Sequence, residues 1–176
     1  MGEFSVGQSA PREEDPRLLT GGGEFLDDVN LHDQAWGYVL RSPHAMAIIR
    51  SIDTTAAEQA PGVLKVLTGA DWDAENYGSL PCEDATKKKR DGSPMYHPHW
   101  PALVSGQVRL VGDYVAFVIA ESQVQARDAA ELIEVDYEPL PSVAGLAAAV
   151  APGASAVWPD CPDNISFFEE KGDAAA

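Results

Sequence analysis

Arg41, Ser42 and His44 stand within four positions of one another in RSPHA, directly behind the apolar run WGYVL. A hydroxyl two residues from an imidazole raises nucleophilic catalysis, which needs a base for the serine proton, a third group holding that base, and donors for the oxyanion. On an extended chain Ser42 and His44 could share a face, but Pro43 restricts the backbone between them. No G-x-S-x-G elbow positions the hydroxyl. The better reading is a strand exit whose Arg41 and Ser42 make hydrogen bonds to nearby backbone. His97 and His99 straddle Pro98, and an H-x-H pair on extended chain can aim two imidazoles at one metal ion. A third ligand is missing locally: Cys82, Glu83 and Asp84 would have to be brought near by folding, so the pair reads as loop histidines. Glu134, Asp136 and Glu138 alternate and line one strand face, where a hard cation could sit; a solvated outer face is the simpler account. Gly21, Gly22 and Gly23 lack the strand before and helix after that would make a phosphate cradle, and read as a flexible turn. Lys87 to Arg90 run into Asp91 and Gly92 and read as an exposed loop tip, with docking to an acidic partner as the alternative. Motif by motif, no residue is assigned a catalytic, cofactor-binding or metal-binding role.

Composition limits the remaining possibilities. The 176 residues are 45% hydrophobic and 23% charged, which fits one compact domain able to bury about 70% of its unfolded surface. Twelve basic against 28 acidic residues give a formal charge of -16. Such a chain repels phosphate backbones and anionic lipid, so nucleic acid and membrane surfaces are excluded as expected partners. Cys82 and Cys161 are far apart and form no CxxC, so neither a disulfide framework nor a zinc module is signalled. The N-terminal residues lack a basic segment followed by an apolar one, and no stretch approaches the ~20 apolar residues that span a bilayer. A cytoplasmic location is the expectation.

The elements that would position these residues come in two groups. Residues 1–30 are rich in proline, glycine and charge, and form an expected surface arm with apolar anchors at Leu18, Leu19, Phe25 and Leu26. WGYVLRS reads as a first strand, with Trp36, Tyr38 and Leu40 on one side and Val39 on the other. AIIRSID follows as a strand, then a short helix TAAEQA capped by Asp53 or Thr54 and stopped at Pro61-Gly62, then the strand VLKVLTG. A second strand–helix–strand unit begins at YVAFVIA, apolar almost throughout as expected for a strand covered on both faces. Ser122 stands three residues before Gln125, as in a capping box. Ala126, Ala129, Ala130 and Ile133 then make a narrow helical stripe that can approach a sheet closely. IEVDYEPLP is the returning strand, with Val135 and Tyr137 inward; a parallel pair here would cross right-handed. SVAGLAAAV reads as a short helix, NISFFEEK as a final strand and GDAAA as the start of another helix. Residues 78–103, with four prolines and a charge run, form a loop long enough to suggest function or an interface.

Taken in order, GGGEFLDDVNL, RSPHAMAIIRSIDT, APGVLKVLTGAD, PALVSGQVRLVGDYVAFVIAES and ARDAAELIEVDYEPLP resemble the α/β hammerhead domain that opens the molybdopterin-binding large subunit of molybdenum hydroxylases. This is the aldehyde oxidase, xanthine dehydrogenase and aerobic carbon monoxide dehydrogenase group. The resemblance runs from about Pro11 to Ala176, and its weight lies in the ordered succession of motifs. GDYVAF departs from it, placing Tyr114 where the family usually has a smaller residue, and the histidine-bearing loop is variable ground.

The resemblance implies an α/β (α+β) hammerhead fold, a mixed sheet with strand–helix–strand units. Its expected divisions are an arm over 1–30, the hammerhead domain over 31–164, and the start of a following molybdopterin-binding region over 165–176. It implies an oxidoreductase subunit that hydroxylates aldehydes or N-heterocycles or oxidises carbon monoxide. The implied cofactor is a molybdenum-pterin of the cytosine dinucleotide type, with 2Fe-2S and FAD on partner subunits. The family's base and pterin-gripping loops lie in later domains, so the resemblance carries no catalytic residue onto this chain. The chain is therefore expected to be a fragment binding no cofactor by itself, its partners being downstream domains of the same subunit and the iron–sulfur and flavin subunits. A free-standing binding or assembly module of the same fold is the alternative.

Overall fold

The computed structural model describes residues 12–82 and 84–172. The earliest arm residues and Asp173 to Ala176 of the expected terminal helix lie outside that range. The chain divides into two units, with the break after Gln34. In the first, helix α1 (Asp15–Leu19) carries Pro16 near its start, where a missing N–H costs nothing. The Thr20 hydroxyl closes the helix by donating to the Pro16 carbonyl at 2.7 Å. A 3-10 turn at Leu26–Asp28 follows, its Asp28 carboxylate accepting from the Phe25 N–H at 2.9 Å. The anticipated anchors Leu18, Leu19, Phe25 and Leu26 are all exposed.

The second unit is built from six strands: β1 (Trp36–Arg41), β2 (Ala47–Asp53), β3 (Val63–Thr68), β4 (Gln107–Val108), β5 (Tyr114–Ala120) and β6 (Glu134–Pro139). They form two three-stranded sheets, ordered β1-β5-β3 and β4-β2-β6. Every pairing is antiparallel. The hammerhead-type α+β architecture is as expected, but the anticipated mixed sheet is replaced by these two antiparallel ones. Both strand–helix–strand units are present, as β2-α2-β3 around helix α2 (Thr55–Glu58) and, beyond α3 (Gly69–Ala74), as β5-α4-β6 around helix α4 (Gln123–Ala130). Each unit gives one strand to each sheet, and the units pair reciprocally, β2 with β6 and β3 with β5. β5 and β6 lie in different sheets, so they form no parallel pair and the handedness rule does not come into play. β5 is central, with β1 and β3 on its two edges, so no edge remains for β6.

Local chemistry explains most boundaries. The Asp53 carboxylate accepts from the Thr55 N–H at 2.9 Å and starts α2. Gly62, at φ +77°, supplies the left-handed turn that ends the helix and feeds β3. Ser122 caps α4 by accepting from the Gln125 N–H at 3.3 Å, while its hydroxyl donates to the Gln125 side-chain oxygen at 2.7 Å. The alanine stripe behaves as read: Ala126, Ala129 and Ala130 are buried with Ile133 against Val66, Ala116, Val118 and Ala120 of the first sheet. β5 is covered on both faces, since Val115 joins a second cluster with Ala47 and Val108. Val135 and Tyr137 pack on that cluster, as expected for the inward side of β6.

Two elements differ from the reading of the sequence. Helix α3 was not anticipated. Its signal is the T-x-x-D spacing of TGAD, a capping box in which the Asp71 carboxylate accepts from the Thr68 N–H at 2.7 Å. That backbone hydrogen bond is the main reason Asp71 titrates below the usual aspartate range. Gly69 opens the helix under the Val104 carbonyl, where a Cβ would collide with backbone. The anticipated final strand NISFFEEK is reduced to one bridge, Phe168 opposite Lys88. Asn164, at φ +56°, breaks the extended geometry at its start. Asn164 instead spends its side chain on the Ala149 and Ser155 carbonyls, at 2.9 and 3.0 Å.

Candidate functional site

The strand exit at Ser42 is a joint between backbone segments. After an irregularity at Leu40/Arg41, the Ser42 N–H donates to the Asp113 carbonyl and the Gly112 N–H donates to the Ser42 carbonyl, both at 2.8 Å. The Ser42 hydroxyl accepts from the His44 N–H at 3.0 Å and donates to the His44 carbonyl at 3.2 Å. Ser42 is only 2% exposed. Its proton is held by a carbonyl, not by an imidazole. The His44 ring turns away to lie on Tyr137, with centroids 4.8 Å apart. Burial pushes the Tyr137 phenol up, the Ser42 hydroxyl acting in the opposite direction. Arg41 stacks on Tyr114 at 4.4 Å and donates to the Gly112 carbonyl at 3.2 Å.

This geometry predicts that a fluorophosphonate probe leaves Ser42 unlabelled in the folded chain, and that Ser42→Ala costs about 1 kcal/mol through one lost hydroxyl. Mass spectrometry and thermal unfolding read the two effects. Stoichiometric adduct on Ser42 would refute the structural role.

The other candidates are dispersed. His97 lines a cavity with Cys82 and Tyr96, whereas His99 lines a different one with Trp100, Arg109 and Trp158, so the two imidazoles do not converge. Glu134 and Asp136 face solvent, and Glu138 pairs with Arg50 on β2. Cys82 is exposed and Cys161 buried, both as free thiols. Among the described residues no group of three or more His, Cys, Asp and Glu side chains is placed to hold a metal ion.

A cavity of about 270 Å³ beside β4 was not anticipated. Arg109 forms one wall, its guanidinium 3.9 Å above the Trp158 ring and donating to the Val157 carbonyl at 3.2 Å. Gln107 receives the remaining hydrogen bonds, through its carbonyl at 3.3 Å and its side-chain oxygen at 3.1 Å. Asp113 holds the approach to this wall: its buried carboxylate accepts from the Arg109 N–H at 2.6 Å and the Leu110 N–H at 3.1 Å. Burial lowers the Arg109 pKa, and the nearby Asp113 charge opposes that shift. Every polar group named here is directed to another part of the chain. The wall is a packed joint between the β4–β5 turn and the stretch around Trp158.

The basic run also differs from its expected role as a loop tip. Lys87 reaches the Glu169 carboxylate at 2.6 Å, and Lys89 lies 3.7 Å from Asp163. Their acidic partners are in the same chain.

The family model described as aldehyde oxidase and xanthine dehydrogenase, a/b hammerhead domain, matches residues 20–141. The large chain of carbon monoxide dehydrogenase from Afipia carboxidovorans is 36% identical over 161 residues, which is 92% of this chain and 18% of that one. Quinoline 2-oxidoreductase from Pseudomonas putida 86 superimposes with a TM-score of 0.70 at 42% identity, over 84% of this chain and 18% of that one. A Cu,Mo-CO dehydrogenase in its carbon monoxide reduced state gives a TM-score of 0.70 at 36% identity, over 92% of this chain and 19% of its own. The chain spans about a fifth of the length of these relatives.

Proposed function

Because the chain belongs to the aldehyde oxidase and xanthine dehydrogenase hammerhead family, we propose that it serves as the N-terminal, non-catalytic domain of a molybdenum hydroxylase large subunit. The observation that carries this reading is the family match over residues 20–141. The whole subunit would oxidise an aldehyde, an N-heterocycle or carbon monoxide in the cytoplasm. A molybdenum-pterin of the cytosine dinucleotide type would supply the redox chemistry there, with 2Fe-2S and FAD on partner subunits. This domain's own contribution is shape. Val111, Val124 and Leu146, exposed by 65%, 68% and 93%, offer apolar side chains that neighbouring protein would cover.

Metal analysis tests the proposal. Two proteins are purified from a host that makes the pterin cofactor: the 176-residue chain, and the complete subunit read from its gene and co-expressed with its partners. The short chain is expected to carry no molybdenum and the complete subunit about one per protomer. Near-stoichiometric molybdenum in the short chain would overturn the non-catalytic role, and its absence from both would favour a free-standing module.

A further inference from the structure

We propose that the basic run Lys87–Arg90 is an electrostatic clasp that holds the segment from Cys161 to Glu169 closed over the Cys161 thiol and releases it as ionic strength rises. Independent contacts along both segments support this. Lys87 bonds Glu169 at 2.6 Å and lies 3.5 Å from Asp84. Lys89 approaches both the Asp163 carboxylate, at 3.7 Å, and the Cys161 sulfur, at 3.9 Å. Arg90 covers the Phe168 ring at 4.0 Å. Backbone bonds run alongside, from the Phe168 N–H to the Lys88 carbonyl and from the Tyr96 N–H to the Ser166 carbonyl, both at 2.9 Å.

The clasp replaces regular structure. The segment after Asn164 makes a single bridge where a full strand would have supplied a ladder, so side-chain charge adds to the few backbone and hydroxyl bonds that attach it. Lys87 and Lys89 keep 27% and 25% of their side-chain surface in contact with water, so salt can reach both pairs. Cys161 is beneath, 3% exposed, its single thiol proton shared between the Asp163 carboxylate and the Ile165 carbonyl, each 3.4 Å from the sulfur. Burial also raises its pKa, so the closed thiol is a poor nucleophile and local opening is the route to its reaction. The same segment supplies Cys161, Asn164 and Ser166 to the wall of an apolar cavity beside Leu146 and Trp158, which opening would widen.

In a Cys82→Ser background Cys161 is the only thiol in the chain, so its reaction with an aromatic disulfide reagent reads the clasp directly. Raising sodium chloride from about 0.01 M to about 1 M, which shortens the screening length from about 30 to about 3 Å, is expected to speed labelling roughly fivefold while circular dichroism stays constant. Lys87→Met and Glu169→Gln make no contact with the thiol, and each is expected to speed labelling roughly threefold at low salt. The double variant should be little faster than either single, because both break the Lys87–Glu169 pair, the Asp84 and Lys171 contacts of these residues being longer at 3.5 Å. Labelling that ignores salt, singles that match the parent, or labelling that follows global unfolding in urea would each overturn the clasp.

Discussion

Ala129→Glu is expected to lower the stability of the domain by about 3–5 kcal/mol, the largest loss foreseen for a single substitution in this chain. Ala129 is 1% exposed on the inner face of α4 and belongs to the cluster formed with Ala116, Val118 and Ala120 of β5. A glutamate there either brings an unpaired carboxylate into an apolar layer or forces the helix off the sheet. The stripe consists of alanines because α4 lies close to β5, and larger side chains would hold the two apart. The helix itself is short and cannot persist without that contact. Urea titration measures the loss. Val124→Glu on the exposed face of the same helix is the control, expected to change stability by less than about 0.5 kcal/mol. Equal midpoints for Ala129→Glu and the parent would mean that α4 does not pack as described.

Asp113→Ala is expected to cost about 2–3 kcal/mol. Its carboxylate satisfies the Arg109 and Leu110 N–H groups inside the turn between β4 and β5, and its own carbonyl receives the Ser42 N–H. Alanine leaves both turn N–H groups without their acceptor and removes the negative charge beside a partly buried guanidinium. Arg109 then loses its hold on the Trp158 face, so tryptophan fluorescence should shift along with the melting temperature. Asp113→Asn keeps an oxygen acceptor and should cost about half as much. An alanine variant as stable as the parent, with unchanged emission, would show that the turn is held by other contacts.

The sequence by itself determined the local elements of the second unit, because their signals are short-range. Asp53 and Ser122 cap the helices that follow them, Pro61-Gly62 ends α2, and the period of Ala126, Ala129, Ala130 and Ile133 selects the buried face of α4. The order of motifs also identified the family, since a succession of turns and strands is a property of the chain. The strand exit at Ser42 was legible for the same reason: Pro43 and a hydroxyl that bonds its neighbour's backbone are local facts.

Pairing between strands is a long-range property, and only the tertiary structure decided it. Nothing in YVAFVIA or IEVDYEPLP states that β5 takes β1 and β3 as neighbours while β6 pairs with β2 in another sheet; both strands are apolar enough for either arrangement. Charge partners were hidden likewise. Lys87 and Glu169 are 82 residues apart, so a basic run that reads as a solvated tip becomes a clasp only when folding brings the acidic segment beside it. The Arg109–Trp158 stack had no sequence signal at all, because a lone arginine and a lone tryptophan acquire meaning from the distance between them, and that distance exists only once folding lays the stretch around Trp158 beside the turn after β4.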